Sequence, residues 1–191
     1  MSKIVVAVGD IETTGLSQES GHRIIEVCFS VFRFDPAARS RQKVGTMIQR
    51  INPKRDIDPG AQAVHSISAM DLRGEPEWED VAPKVHKLLA MTDLFVAHNG
   101  EGFDAPFIAL ELIRLGYKIP DFRVFDTMTN GRSCTPFGKV PNLGELCSAL
   151  GVEYDPDKAH SAQYDVDVLS DCYWRGIEIG LYKDPASYLA D

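Results

Sequence analysis

The sequence contains few cysteines, and none of them forms a metal-binding pair. No two cysteines are spaced as C-x-x-C, which excludes zinc knuckles and thioredoxin-like sites. The first residues lack the long apolar stretch and small-residue cleavage site of a secretory signal. We therefore expect reduced thiols and a cytoplasmic location. The four cysteines among the 191 residues are Cys28, Cys134, Cys147 and Cys172.

Long apolar runs and an excess of positive charge are also missing. The apolar run at residues 4–8 is too short to span a membrane. Lysine and arginine total 20 against 28 aspartates and glutamates, a net charge of -8. This balance argues against a protein that binds nucleic acid by general electrostatic attraction. It is compatible with an enzyme whose carboxylates hold metal ions.

The pattern along the chain predicts one α/β domain. The length fits a single domain, which we assign to residues 1–182, followed by a short C-terminal tail at 183–191. Three strands followed by alternating helices and strands indicate a mixed sheet. The predicted strands are 4–8, 24–34, 44–51, 94–97 and 124–126. The predicted helices are 61–64, 77–91, 103–115, 142–151 and 161–180.

Two carboxylates, Asp10 and Glu12, lie where the first predicted strand ends. In an extended backbone, residues i and i+2 point to the same side. Two carboxylates placed this way repel each other unless a cation lies between them. A polar strand end followed by a Thr/Gly turn is the alternative interpretation, and this pair alone does not decide between the two.

Two further segments bring acidic residues to the ends of other elements. Asp104 follows the strand at 94–97 and opens a helix, where an N-cap is the simplest role. Asp165 falls on the apolar face of the last helix, and a carboxylate on a buried face needs a partner. His160 lies five residues earlier, with Ser161 between them as a candidate N-cap.

Together these segments predict a metal centre. Strand ends and helix starts cluster at one rim of an α/β sheet. Four carboxylates at that rim match hard divalent cations, which take oxygen ligands. Two such ions about 3.5–4 Å apart can activate a water and stabilise the leaving oxygen of a phosphodiester. A nearby histidine can take the proton from the attacking water.

Three motifs resemble those of the DEDDh 3′–5′ exonucleases, the DnaQ-like group that includes proofreading subunits of DNA polymerases. They are Asp10-Ile-Glu12-Thr-Thr-Gly-Leu, His98-Asn-Gly-Glu-Gly-Phe-Asp104 and His160-Ser-Ala-Gln-Tyr-Asp165. Their order and spacing agree with the family across about residues 4–175. The second motif is most similar in form to the three-prime repair exonucleases, although the proline-rich insertion of the animal members is missing.

The resemblance implies a ribonuclease H-like α/β fold, with a central five-stranded mixed sheet flanked by helices. It implies that Asp10, Glu12, Asp104 and Asp165 are catalytic ligands of two divalent cations, Mg²⁺ or Mn²⁺, and that His160 is the general base. It also implies a pocket for the terminal nucleotide. The candidate residues of that pocket are Thr13, Thr14, Gly15, Leu16, His98, Asn99 and Phe103. For Phe103, ordinary core packing is the alternative.

The expected function is a metal-dependent 3′–5′ exonuclease. It would hydrolyse single-stranded or frayed DNA ends and release nucleoside 5′-monophosphates. The expected partners are a nucleic acid 3′ end, with DNA favoured over RNA, and a polymerase or a second copy of the chain, but no membrane. Positive charge for the substrate is sparse and falls in two predicted loops, one with Arg39, Arg41 and Lys43 and one with Arg132 and Lys139.

Three alternative functions compete with this expectation. An exoribonuclease similar to ribonuclease T or oligoribonuclease would keep the chemistry and change the substrate. A non-catalytic nucleic-acid-binding module on the same fold would need a motif acid to be lost, and none is. A dinucleotide fingerprint, G-x-G-x-x-[GA], fits residues 100–105. It is rejected because Asp104 would face a pyrophosphate with a like charge.

Overall fold

The fold is built on one five-stranded mixed sheet, as the sequence predicts. The computed structural model describes residues 3–190. The strands are β1 (Ile4–Thr13), β2 (Ile24–Asp35), β3 (Ser40–Arg50), β4 (Leu94–Ala97) and β5 (Arg123–Asp126). Their order across the sheet is β3-β2-β1-β4-β5. The β1–β2 and β2–β3 pairs are antiparallel, whereas β1–β4 and β4–β5 are parallel.

Seven α-helices accompany the sheet in the described part of the chain, together with three 3-10 helices of three residues each. The five predicted helices are present, and two short ones, of four and five residues, are additional. Both are too short to show a helical period of apolar residues. Within residues 3–190, no helix combines the length and apolar character needed to cross a bilayer. The helices are α1 (Pro59–His65), α2 (Trp78–Leu89), α3 (Asp104–Arg114), α4 (Thr127–Asn130), α5 (Leu143–Leu150), α6 (Ala162–Glu178) and α7 (Pro185–Leu189).

Two strands are longer than their apolar patterns indicate. In β1 the apolar run ends early, but pairing with β2 continues, and Glu12 lies opposite Glu26. β3 begins at Ser40, so Arg41 and Lys43 lie in the strand and not in the expected loop. Because β3 is at the sheet edge, its side chains are largely exposed and its sequence is polar.

The sheet has an apolar layer on each face. One layer joins Ala7, Phe29 and Phe95 of the sheet to α2 and α3. The other joins Val6 and Val8 to α6, in keeping with the two-residue alternation of a strand. α5 packs on the outer side of α6. Asp10 and Glu12 follow Val6 and Val8 at the same two-residue spacing, so their side chains lie on this second face.

The predicted C-terminal tail contains α7. The Tyr188 hydroxyl donates a hydrogen bond to the Val124 carbonyl over 2.8 Å. Its ring lies 5.0 Å from that of Phe125, measured between centroids. Residues 185–189 therefore pack against β5.

Candidate active site

Three carboxylates from two elements converge beyond the apolar part of β1. Oxygen atoms of Asp10, Glu12 and Asp165 all lie within 4.8 Å of one another. Asp10 and Glu12 share the sheet face that carries Val6 and Val8, and α6 packs across that face with Asp165 in its first turn. The predicted meeting of the first and third motifs is therefore present in the structure.

Asp104, the fourth predicted acid, lies beside this group of three. It is the first residue of α3 and 2 % exposed. Its Oδ1 accepts a hydrogen bond from the Ile11 N–H over 3.2 Å. The N-cap position belongs to Phe103, so the interpretation of Asp104 as an N-cap is wrong. Its side chain instead reaches back to the strand that carries Asp10 and Glu12.

The four acids share an environment that disfavours their ionised forms. Burial raises the pKa of Asp10 well above its ordinary value, and the charges of Asp104 and Glu12 raise it further. Burial, followed by the charge of Asp165, raises the pKa of Glu12 to about 8. Burial also raises the pKa of Asp104 to about 7 and that of Asp165 above its usual range. Clustered oxygen donors that cannot all ionise without a counter-charge fit hard divalent cations.

A hydrogen bond joins the backbone of His160 to the side chain of Asp165. The His160 N–H donates to Asp165 Oδ2 over 2.9 Å, which supplies the partner that the buried carboxylate needs. His160 has a left-handed backbone with φ 63°, and the residue is exposed. Ser161 occupies the N-cap position of α6, as predicted, but its side chain makes no capping hydrogen bond.

A cleft of about 570 Å³ opens beside the acids. The start of α5 forms one wall, and it is fixed by the capping box that the sequence predicts. Asn142 Oδ1 accepts from the Glu145 N–H, and Glu145 Oε2 accepts from the Asn142 N–H. Asn142 and Tyr154 were not predicted as site residues, because they come from segments outside the motifs. The lining residues are Asp10, His98, Asn142, Leu143, Gly144, Tyr154, His160 and Asp165.

The end of β1 and the turn after it contain four of the predicted substrate-binding residues. The Thr13 hydroxyl donates to the Gly15 carbonyl over 2.9 Å. Thr14 is fully buried, and its Oγ1 lies 3.0 Å from a nitrogen of His22. Leu16, in contrast, is 84 % exposed. The two threonines therefore shape the turn from within, while Leu16 presents an apolar side chain to solvent.

The other three predicted residues lie in and around the loop before α3. The ring nitrogens of His98 are 3.0 Å from Thr127 Oγ1 and 3.1 Å from the Pro141 carbonyl oxygen. Both nitrogens thus have protein partners. His98 therefore connects the end of β4 to two later segments and has no ring nitrogen left for a hydrogen bond to substrate. Asn99 has a left-handed backbone with φ 66°. Phe103 is partly buried and packs on Phe107, as its core-packing alternative requires.

Two buried acids that the sequence analysis did not select support the site. Glu26 lies opposite Glu12, and its Oε1 accepts from Arg50 Nε over 2.9 Å. Glu26 is the one acidic residue within the apolar stretch 24–34, and this isolated charge is the sequence feature that could have indicated a fifth carboxylate at the site. Asp126 Oδ1 accepts from the Asn99 N–H over 3.0 Å, which fixes the loop leading to Asp104.

We expect the metal-free protein to lose stability as pH rises. A carboxyl group with a raised pKa stabilises the folded state below its unfolded pKa, and this contribution is lost as pH rises through the folded pKa. For Glu12 and Asp104, with pKa values of about 8 and about 7, the loss spans about pH 4 to 8. In EDTA, Tm should fall over this range, and Mn²⁺ should restore it most at high pH.

Glu12→Gln is the control for this experiment, because the amide cannot ionise. Its Tm in EDTA should depend less on pH than that of the wild type. An equal pH dependence in both proteins, with no effect of Mn²⁺, would contradict the electrostatic account. Differential scanning calorimetry at several pH values measures both quantities.

Comparison with known proteins places the chain in one family. The exonuclease family model matches residues 7–173. Relatives include the 3′-5′ exonuclease DinG of Bacillus subtilis, which is 32% identical over 168 residues, or 88% of this chain and 17% of DinG. The DNA polymerase III subunit epsilon of Haemophilus influenzae is 33% identical over 172 residues, or 86% of this chain and 64% of the subunit. The chain thus spans less than two thirds of both proteins.

A third relative and two solved structures extend this comparison. The epsilon subunit of Rickettsia typhi is 32% identical over 180 residues, or 91% of this chain and 74% of the subunit. E. coli exonuclease I in complex with a dT13 oligonucleotide has a TM-score of 0.73 at 20% identity, over 92% of this chain and 41% of that one. Exonuclease X in complex with 5′ overhanging duplex DNA has a TM-score of 0.64 at 22% identity, over 93% and 94%. The structural likeness confirms the predicted ribonuclease H-like fold, and the family match shows that the chain belongs to the DnaQ-like DEDDh 3′–5′ exonuclease family.

Proposed function

We propose that this chain is a metal-dependent exonuclease that removes nucleotides from the 3′ end of DNA. The observation that carries the proposal is the grouping of Asp10, Glu12 and Asp165 within 4.8 Å. Burial and the charges of neighbouring carboxylates raise the pKa values of Asp10 and Glu12. A fold that assembles such a group without relieving the repulsion is suited to binding cations.

The four motif acids would hold the cations through their carboxylate oxygens. Two divalent cations, when bound, supply the charge that activates a water and stabilises the leaving oxygen of a phosphodiester. Ile11 and His160 donate backbone hydrogen bonds to Asp104 and Asp165, and these bonds fix how the two carboxylates point. Glu26 is held apart from this role by its ion pair with Arg50.

His160 acts as the general base in this proposal. Its exposed imidazole lines the cleft that also contains Asp10 and Asp165. A base must be accessible to the attacking water, and a neutral imidazole can accept a proton near neutral pH. The bond from the His160 N–H to Asp165 sets the base at a fixed place beside the acids.

The terminal nucleotide would bind at the turn after β1. The exposed side chain of Leu16 offers an apolar surface to a base, and Thr13, Thr14 and Gly15 form the wall behind it. DNA is favoured as substrate because exonuclease I and exonuclease X were solved with DNA. Two relatives are subunits of DNA polymerase III, so a polymerase is the first partner to test.

A labelled-oligomer assay tests the proposed activity. DNA and RNA oligomers labelled at the 5′ end should shorten stepwise with Mg²⁺ or Mn²⁺, and 3′-labelled oligomers should lose their label at once as a 5′-monophosphate. DNA should be cleaved faster than RNA, and EDTA should stop the reaction. Faster cleavage of RNA would support the exoribonuclease alternative. Full activity in EDTA, or products that carry a 3′-phosphate, would contradict the proposal.

We expect only a weak dependence of DNA binding on salt. The basic residues of the first cluster are occupied, since Arg41 pairs with Glu178 and Lys43 with Asp167. In the second cluster, Lys139 pairs with Glu145. We therefore expect about two to four phosphate contacts, so log Kd for single strands should change with log salt by a slope of about 1.4 to 2.8. Fluorescence anisotropy gives this slope, and a value above about 5 would reveal a basic surface that the structure does not indicate.

A further inference from the structure

A buried histidine outside the acidic cluster holds the turn that follows β1. His22 is 7 % exposed, and its Nδ1 lies 3.0 Å from Thr14 Oγ1. Its Nε2 lies 3.4 Å from Asp58 Oδ2. Nε2 therefore faces the Asp58 carboxylate, while Nδ1 forms a hydrogen bond with the Thr14 hydroxyl. The imidazole thus links the turn to the residue that precedes α1.

Thr14 is held at each of its polar groups. Its N–H donates to the Arg23 carbonyl over 2.9 Å, and its carbonyl accepts from the Asp58 N–H over 2.9 Å. Its Oγ1 also accepts from the Arg23 N–H over 3.0 Å. The hydrogen bond between Oγ1 and His22 completes the polar contacts of this side chain.

The imidazole also packs directly against Gly15. A Cβ added at Gly15 would lie 2.4 Å from Cε1 and 2.5 Å from Nδ1 of His22. Such distances are far below ordinary contact, so the ring position requires glycine here. His22 therefore holds the Thr14 side chain by a hydrogen bond and fills the space next to Gly15. The exposed Leu16 follows these two residues directly.

We propose that His22 is a positioning residue for the 3′-terminal nucleotide. By fixing Thr14 and Gly15, its imidazole determines where Leu16 meets the terminal base. This inference rests on the proposed function, because it takes the turn to be the site of the terminal nucleotide. His22 acts on the turn and not on the four acids or His160, so its loss weakens substrate binding more than it slows hydrolysis.

Steady-state kinetics on a single-stranded DNA oligomer test this division. His22→Ala should raise KM about 10-fold and change kcat by less than about 3-fold. His22→Asn keeps an acceptor near the position of Nδ1, so it should return KM to within about 3-fold of the wild type. His86→Ala is the matched control. His86 lies on α2, its imidazole is hydrogen-bonded to the Lys118 carbonyl, and it is outside the residues that line the cleft. This variant should leave KM and kcat unchanged.

Gly15→Ala gives a coupling test that a general loss of stability would not reproduce. In the wild-type background the new Cβ collides with His22 and should raise KM about 10-fold. In the His22→Ala background the collision is gone, so Gly15→Ala should add less than about 2-fold. If the two effects multiply, the Gly15 Cβ meets the substrate and not His22, and the proposal is wrong.

Binding of dTMP in the presence of Mn²⁺ separates this inference from the proposed function. Calorimetry should show that His22→Ala weakens dTMP binding about 10-fold and that His22→Asn restores it. A wild-type protein that cleaves no oligomer would overturn the proposed function, while the dTMP affinities would still decide the role of His22. Unchanged dTMP affinity in folded His22→Ala would overturn the inference. If His22→Ala does not fold, dTMP binding by His22→Asn and by Gly15→Ala decides it.

Discussion

Asp165→Asn should abolish most activity by removing one negative charge from the group of three carboxylates. Turnover should fall about 10³-fold, which corresponds to about 4 kcal/mol of transition-state stabilisation. Mn²⁺ affinity should fall in the same variant, because a neutral amide oxygen is a weaker ligand for a hard cation than a carboxylate. Calorimetry with Mn²⁺ and single-turnover cleavage measure the two effects.

Asp167→Asn is the matched control for this variant. Asp167 lies on the same helix, two residues later, and pairs with Lys43. Its loss should leave Mn²⁺ affinity and turnover close to those of the wild type. In EDTA, Asp165→Asn should also be at least as stable as the wild type, since it relieves repulsion on Glu12. Wild-type Mn²⁺ affinity in Asp165→Asn would remove this residue from the metal site.

His160→Ala should lower kcat about 10²–10⁴-fold while metal and DNA binding remain nearly unchanged. The variant retains the backbone N–H that binds Asp165, so the carboxylate keeps its orientation. What it loses is the imidazole at the cleft, and with it the group that accepts a proton from water. Single-turnover cleavage and Mn²⁺ calorimetry on the same preparation separate these contributions.

The pH profile gives a second test of His160. Only the neutral imidazole acts as a base, so wild-type activity should include a step that rises with pH. His160→Ala should lose that step, while any pH dependence of the cation-assisted reaction remains. If His160→Ala loses Mn²⁺ binding as severely as Asp165→Asn, His160 is a ligand or a structural support, and the base assignment is wrong.

The sequence by itself determined the sheet, the main helices and the four acids. These features depend on local patterns, such as a two-residue alternation in strands and a capping box at Asn142 and Glu145. The motif acids could be found because each lies near the end of a strand or at the start of a helix, and parallel neighbours such as β1 and β4 bring such ends to one edge of the sheet.

The tertiary structure decided which side chains are free to meet a substrate. His98 belongs to the second motif, yet both of its ring nitrogens are bonded to residues 29 and 43 positions later. Arg41 is basic in sequence, but it pairs with Glu178, 137 residues away. No local pattern specifies such pairs, since they depend on how distant elements pack.

The packing of distant elements also explains why the sequence did not reveal two supporting residues, Glu26 and His22. Glu26 becomes a fifth carboxylate of the site only because strand register puts it opposite Glu12. His22 supports the turn after β1 only because the chain brings Asp58 and Thr14 to its two ring nitrogens. The sequence thus determined which chemistry is present, and the long-range packing decided how the chemical groups are oriented, paired and exposed.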